Sequence, residues 1–306
     1  MKIEKTSFGG WTNCYRLSND DLTLVALADV GPRIIQLGPN AEHNCFYVNP
    51  ATLGNRGGDN WTLYGGHRFW HAPEALPRTY QPDNRPVEVS VAEEGLTLIQ
   101  PIEPATGIQK EIEVQARDGQ RGVTVIHRLT NHNLWPVTLS PWALSVMAPG
   151  GVAILPLLPR GSHDENLLPT SSLVLWAYVE MNDPRYLWGR EFVLLRQDRE
   201  SSTPQKIGLT ASGGWVAYAV DNMLFVKMFD ESADAPYPDR GCAVELYTDP
   251  TIMELETLGE LTTLEPGASA DHTEHWYLWN EVPVIETEDD VQEHVLPRIG
   301  SVFASS

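Results

Sequence analysis

VEVSVAEEGLTLIQPI, residues 87 to 102, alternates apolar and polar side chains on either side of a glycine-containing turn. Successive strand residues point to opposite faces, so this pattern suits two strands joined by a hairpin, with one face of each strand wet. The same texture recurs in RGVTVIHRLTN (121 to 131) and in MELETLG (253 to 259), and CAVELYT (242 to 248) is one of several further short, mostly apolar runs. Few windows hold a helical apolar period for ten positions. The chain therefore reads as all-β. The strands are many and show no internal repeat, which favours a large sandwich of two packed, curved antiparallel sheets over a propeller or solenoid. One domain over residues 1 to 306 is expected. Its acidic tail from Glu281 onward reads either as a short terminal helix or, more simply, as a solvated strap.

The 21 basic and 41 acidic residues leave a net charge of −20, a field that disfavours nucleic acid and anionic membranes as partners. No apolar run reaches the ~20 residues of a spanning helix, and MKIEKTSFGG lacks the apolar core of a signal peptide. Cys14, Cys45 and Cys242 show no CxxC spacing. They read as reduced thiols of a cytoplasmic protein.

Two Pro- and Gly-rich stretches, 49 to 86 and 148 to 190, are too irregular for tight hairpins and are where function is expected to concentrate. Within the first, GGHRFWHAPE (65 to 74) gathers two histidines, an arginine, a tryptophan and a glutamate. His67, His71 and Glu74 could hold zinc, but Pro73 and Pro77 argue against a continuous helix, and the stretch lacks the metalloprotease glutamate. A sugar surface uses the same residues, with Trp70 as an apolar plate and Arg68, His67, His71 and Glu74 as hydroxyl partners. A core tryptophan beside two satisfied histidines also remains open. Glu245, alone in an apolar strand, points either to water or into a cavity where desolvation would make it a useful base. Glu254 and Glu256 share one strand face, and for at least one of them a solvated face is the simpler expectation. No phosphate-cradling loop, GxSxG elbow or cysteine pair is present, so no metal and no cofactor are expected.

The run from Phe225 to Leu278, with its glutamate-bearing strand and the turn LEPG, resembles the closing strands of the galactose mutarotase-like, or aldose 1-epimerase-like, superfamily. LADVGPRIIQLG (27 to 38) is similar to its opening hairpin. Within the superfamily, GGHRFWHAPE, SPWALSVMAPGG (140 to 151) and MELETLG look most like a less characterised bacterial group, DUF4380. The resemblance spans roughly residues 8 to 280. It implies a β-supersandwich of some twenty strands, with a sugar site on the concave face of a sheet. It also implies a glutamate base, matched by Glu245, working with a histidine acid that opens and recloses a pyranose. The stretch corresponding to the acid, VTLSPWALSVM (137 to 147), contains no histidine, which leaves His67 or His71 for that role.

Glu245, His67 and His71 are thus the expected acid–base residues. Arg68, Trp70, Glu74, Trp142, Asp239 and Glu254 are the expected sugar contacts. The expected partner is a small sugar or oligosaccharide, and the activity that of a cofactor-independent aldose mutarotase or epimerase. A non-catalytic carbohydrate-binding protein is the alternative. Lyase or glycoside-hydrolase chemistry is a third possibility on such a scaffold.

Overall fold

A computed structural model describes residues 1–117, 121–232 and 234–303. These residues form 21 strands in two large antiparallel sheets. Sheet one runs, edge to edge, β1 (Lys2–Phe8), β2 (Trp11–Ser18), β3 (Thr23–Leu27), β4 (Arg33–Gly38), β5 (Gly66–Ala72) and β10 (Val137–Met147). It continues through β19 (Met253–Leu258), β18 (Val244–Thr248), β15 (Gln205–Leu209) and β12 (Leu173–Leu175), with β20 (Thr262–Leu264) also on β10. Sheet two runs β13 (Tyr186–Trp188), β14 (Phe192–Arg196), β11 (Val152–Pro156), β16 (Trp215–Val220) and β17 (Met223–Phe229). It ends with β21 (Ser269–Trp279), β9 (Val123–Asn131), β8 (Ile108–Ala116), β7 (Gly95–Ile99) and β6 (Glu88–Val91).

The hairpin read in residues 87 to 102 is β6 and β7, with Val89 opposite Leu98 and Val91 opposite Leu96 at one edge of sheet two. In β8 and β9 every second residue is buried, as alternation requires, and the buried set faces sheet one. The main core lies between the sheets, where Phe46, Phe225 and Trp276 meet edge to face.

Two stretches depart from expectation. Residues 66 to 72, placed by sequence in an irregular loop, form the central strand β5, buried along its whole length. Polar residues fall on both of its faces, so no alternation marked it. Gly65 and Gly66 enter it at φ of 92° and 71°. A Cβ on either would collide with the backbone carbonyl of Tyr47 or of Ile34, so the strand entry requires glycine twice.

The acidic tail is not a solvated strap. Thr287 and Asp290 form a reciprocal capping box, and helical turns follow over Glu288–Asp290, Val291–Val295 and Leu296–Phe303. Val291, Val295 and Ile299 recur every four residues and bury against Trp215, Leu224 and Trp279 on the outer face of sheet two. Each such burial is worth about 1.5–3 kcal/mol. No helix among the described residues is long and apolar enough to cross a membrane. The three cysteines are free and buried.

Candidate functional site

The outer face of sheet one, where β5, β10, β19, β18 and β15 lie side by side, floors a cleft of about 430 Å³. Strand register assembles it. Trp70 lies opposite Trp142, and Leu144 is flanked by Arg68 on one side and Glu256 on the other. Glu256 lies opposite Glu245, Glu254 opposite Tyr247, and Tyr247 opposite Lys206. Side chains two apart on a strand share a face, so these registers bring together residues from four distant stretches. Loops close the sides with Trp61, Glu74, Tyr80, Trp176, Tyr178 and Asp249.

Two ion-pair systems cross the floor. Arg68 Nη1 donates to Glu254 Oε1 at 2.7 Å, and its guanidinium lies 4.4 Å from the ring centroid of Trp70. Lys206 Nζ stands 2.7 Å from Glu245 Oε2 and 3.0 Å from Glu256 Oε2, between the rings of Trp142 and Trp176 at 5.1 and 4.8 Å. Trp142 Nε1 also donates to Glu256 Oε2, at 2.9 Å. Burial pushes the Glu245 carboxyl well above the ordinary carboxylate range, and the Lys206 ammonium pulls against it without winning. Glu256 is raised for the same reason. Burial would lower Lys206, but Glu256 and Glu245 outweigh it and hold the amine charged.

Several buried polar atoms on this floor have no hydrogen-bond partner: Glu256 Oε1, Trp70 Nε1 and Arg68 Nε. An orphaned buried donor or acceptor costs about 1–3 kcal/mol. Here an acceptor and two donors are left without partners beside the aromatic faces of the cleft.

Sequence reasoning placed Arg68, Trp70, Glu74, Trp142 and Glu254 at a site, and all five line this cleft. Glu254 and Glu256 are both buried, contrary to the solvated face expected for one of them. Glu245 points inward, fully buried, but it lies beneath Lys206 and is not part of the cleft lining, whereas Glu256 is. Asp239 does not reach the cleft. It sits in a turn with φ of 48°, behind Glu245, whose carboxyl its charge helps to raise. Lys206 and the loop aromatics Trp61, Trp176 and Tyr178 were not singled out by the sequence, and Glu256 was read only as sharing a strand face with Glu254. Trp61 and the pair Trp176 and Tyr178 do come from the two irregular stretches.

The histidines lie elsewhere. Arg68 and Trp70 face the cleft, so His67 and His71 on the same strand must face the space between the sheets. His67 Nδ1 meets Ser145 Oγ at 2.9 Å, His67 Nε2 meets His127 Nε2 at 2.7 Å, and His127 Nδ1 meets the His272 carbonyl at 3.0 Å. The carbonyl can only accept, which fixes the chain: His127 Nδ1–H donates to it, His67 Nε2–H donates to His127, and the Ser145 hydroxyl donates to His67. Next to this chain, Lys227 Nζ lies 2.6 Å from Glu274 Oε1, and Trp276 Nε1 donates to Glu274 Oε2 at 2.7 Å. Burial drives His67 well below its usual range and His272 down to about 3. Burial would raise Glu274, but Lys227 and His127 hold it well below the carboxylate range. His71 is also buried, 3.5 Å from Glu103 Oε2, and Lys110 stands 2.5 Å from Glu103 Oε1. Burial opposes ionisation of Glu103, yet Lys110 and His71 bring it down to about 2.

The expectation that either histidine works opposite Glu245 is therefore overturned by strand alternation. The zinc set His67, His71 and Glu74 fails for the same reason, since Glu74 lies on the cleft side of the sheet. His67, His127 and Glu274 do bring their ligand atoms within 4.8 Å of one another. Two imidazole nitrogens on one zinc, with bonds of about 2.0–2.1 Å in tetrahedral geometry, stand more than about 3 Å apart. At 2.7 Å the two rings are instead hydrogen-bonded, and Lys227 already neutralises the carboxylate.

No protein-family model matches the chain, and no curated protein matches it in sequence. Solved structures do match its fold. A galactose mutarotase-like protein from Lactobacillus casei superposes with a TM-score of 0.55 at 11% identity, over 87% of this chain and 100% of the other. The chain has the galactose mutarotase-like fold. A galactose mutarotase related enzyme from Lactobacillus acidophilus gives 0.51 at 11% identity, over 90% and 100%. A TPR-domain containing protein from Parabacteroides distasonis gives 0.60 at 12%, over 89% of this chain. The chain spans about half (48%) of that longer protein. At such identities the mutarotase-like fold is shared and residue roles are not transferred with it.

Proposed function

We propose that the chain binds a sugar ring in the sheet-one cleft and interconverts its anomers as an aldose 1-epimerase-like isomerase. The observation that carries this reading is Glu256, whose Oε2 is held by Lys206 and Trp142 while its buried Oε1 has no partner at the floor of an aromatic cleft. In this reading Glu256 takes the proton of the anomeric hydroxyl, Lys206 gives one to the ring oxygen, and the C1–O5 bond breaks. The open aldehyde then turns about C1–C2, and as O5 attacks either face of C1, Lys206 takes back the O5 proton and Glu256 returns one to O1, which gives either anomer and restores both groups. Glu245, beneath Lys206, acts as a positioning group.

A second reading is sugar binding without turnover. It is favoured by the absence of any histidine from the cleft lining among the described residues. Polarimetry of freshly dissolved α-aldoses separates the two. Turnover predicts equilibration faster than buffer, with Glu256→Gln lowering the excess rate about 10²–10⁴-fold. Sugar-dependent thermal stabilisation with no excess rate identifies the binding protein. Neither effect across hexoses, pentoses and uronic acids rejects the sugar cleft.

A further inference from the structure

The cleft holds more negative than positive charge, and the excess lies in two side chains contributed by loops. Arg68 is matched by Glu254 at 2.7 Å and Lys206 by Glu256 at 3.0 Å. Glu74 and Asp249 line the same cleft with no basic side chain within 4.0 Å among the described residues. Glu74 accepts from the Tyr80 hydroxyl. Asp249 Oδ1 accepts from the backbone N–H groups of Thr251 and Ile252 at 2.7 and 2.9 Å. These neutral donors orient the two carboxylates and leave their charge uncompensated.

The walls favour the same sign of ligand. Four tryptophans and three tyrosines line the cleft, and aromatic faces attract cations. An anionic sugar would need an unpaired basic group, and both cations on the floor are already committed. The net charge of −20 repels anions and draws cations at longer range. The orphaned Glu256 Oε1 adds a buried acceptor suited to an O–H or N–H donor.

We infer that the preferred ligand is a protonated amino sugar, a pyranose bearing a primary ammonium group that meets one of the two carboxylates, Glu74 or Asp249, while the ring lies against the tryptophans. The inference rests on the sugar-cleft reading and adds the charge class of the ligand. Isothermal titration with D-glucosamine, D-glucose, D-glucuronate and ethanolamine tests it. Glucosamine is expected to bind about fivefold or more tightly than glucose, as a screened charge contact allows, with glucuronate weakest. In the double variant Glu74→Gln/Asp249→Asn, and separately in about 0.5 M salt, the glucosamine-to-glucose ratio is expected to fall toward one.

If glucose or glucuronate binds as tightly as glucosamine, the charge inference fails and the sugar-cleft reading stands. If ethanolamine binds as tightly as glucosamine, the ring contributes nothing and the inference is overturned. If none of the three sugars binds, the sugar-cleft reading falls and takes the inference with it.

Discussion

The two faces of β5 carry comparable chemistry and use it differently. On the inner face His67, His127 and Ser145 spend their donors and acceptors on one another beside the Lys227–Glu274 pair, and His71 is held against the Glu103–Lys110 ion pair. On the outer face, one residue away along the strand, Arg68 and Trp70 border a cleft in which Glu256 Oε1, Trp70 Nε1 and Arg68 Nε are unsatisfied. A cluster of ionisable residues is thus no sign of a site by itself. Unspent hydrogen-bonding capacity beside an open volume is the better sign.

The largest expected effect breaks the inner face. Lys227 belongs to β17, pairs with Glu274 and donates to the carbonyls of Ala143 and Leu255 across in sheet one, at 3.4 and 3.3 Å. Lys227→Met leaves the Glu274 carboxylate buried and unpaired, and urea unfolding is expected to show a loss of about 3–5 kcal/mol. On the outer face, Trp176→Ala removes a half-buried ring from the cleft wall. It is expected to weaken sugar affinity by about tenfold, as loss of one aromatic contact allows, with a much smaller change in stability. If it destabilised the protein as much as Lys227→Met, the two faces would not differ in kind.

The smallest expected effect is the sharpest, because the faces carry opposite pH linkage. His67, His127 and His272 are held below the ordinary 6.5. Below about that pH the unfolded chain takes up protons that the folded rings refuse, so stability falls on acidification. Glu274 and Glu103, held below 4.5, extend the loss below that value. Glu245 and Glu256 are raised above 4.5, so their contribution is full below 4.5 and is lost as pH rises through their folded values. Glu245→Gln, a neutral mimic, is accordingly expected to match or exceed the parent at pH 7 by up to about 1 kcal/mol. The advantage should shrink below pH 4.5. A Tm series from pH 3 to 8 on both proteins reads this directly.

The strands of one-wet-face pattern were legible in the sequence, as VTVIHRL in β9 shows with alternate residues buried. MELETL in β19 also announced that Glu254 and Glu256 share a face. That both are buried was not legible, because the loops bearing Trp176 and Tyr178 cover them from some eighty residues away. β5 was hidden because it is buried on both sides and polar on both. Once it is known as a strand, the parity of positions 67, 68, 70 and 71 separates the histidines from Arg68 and Trp70 with no further information. The position of Glu245 beneath Lys206 depends on the pairing of β18 with β15 and β19, a long-range register that composition and spacing do not encode. The terminal helix stood second to a solvated strap in the sequence because Glu286 to Asp290 dominate its start, while the burying residues Val291, Val295 and Ile299 are spread one per turn.

The central claim is that the outer face of sheet one, and not the histidine face, receives the sugar. A crystal structure of the protein soaked with an aldose at saturating concentration tests it most directly. The account predicts a pyranose against Trp70, Trp142 or Trp176 with a hydroxyl on Glu256 Oε1. Sugar bound elsewhere with this cleft empty, or contacting His67 or His71 through rearranged sheets, would contradict it.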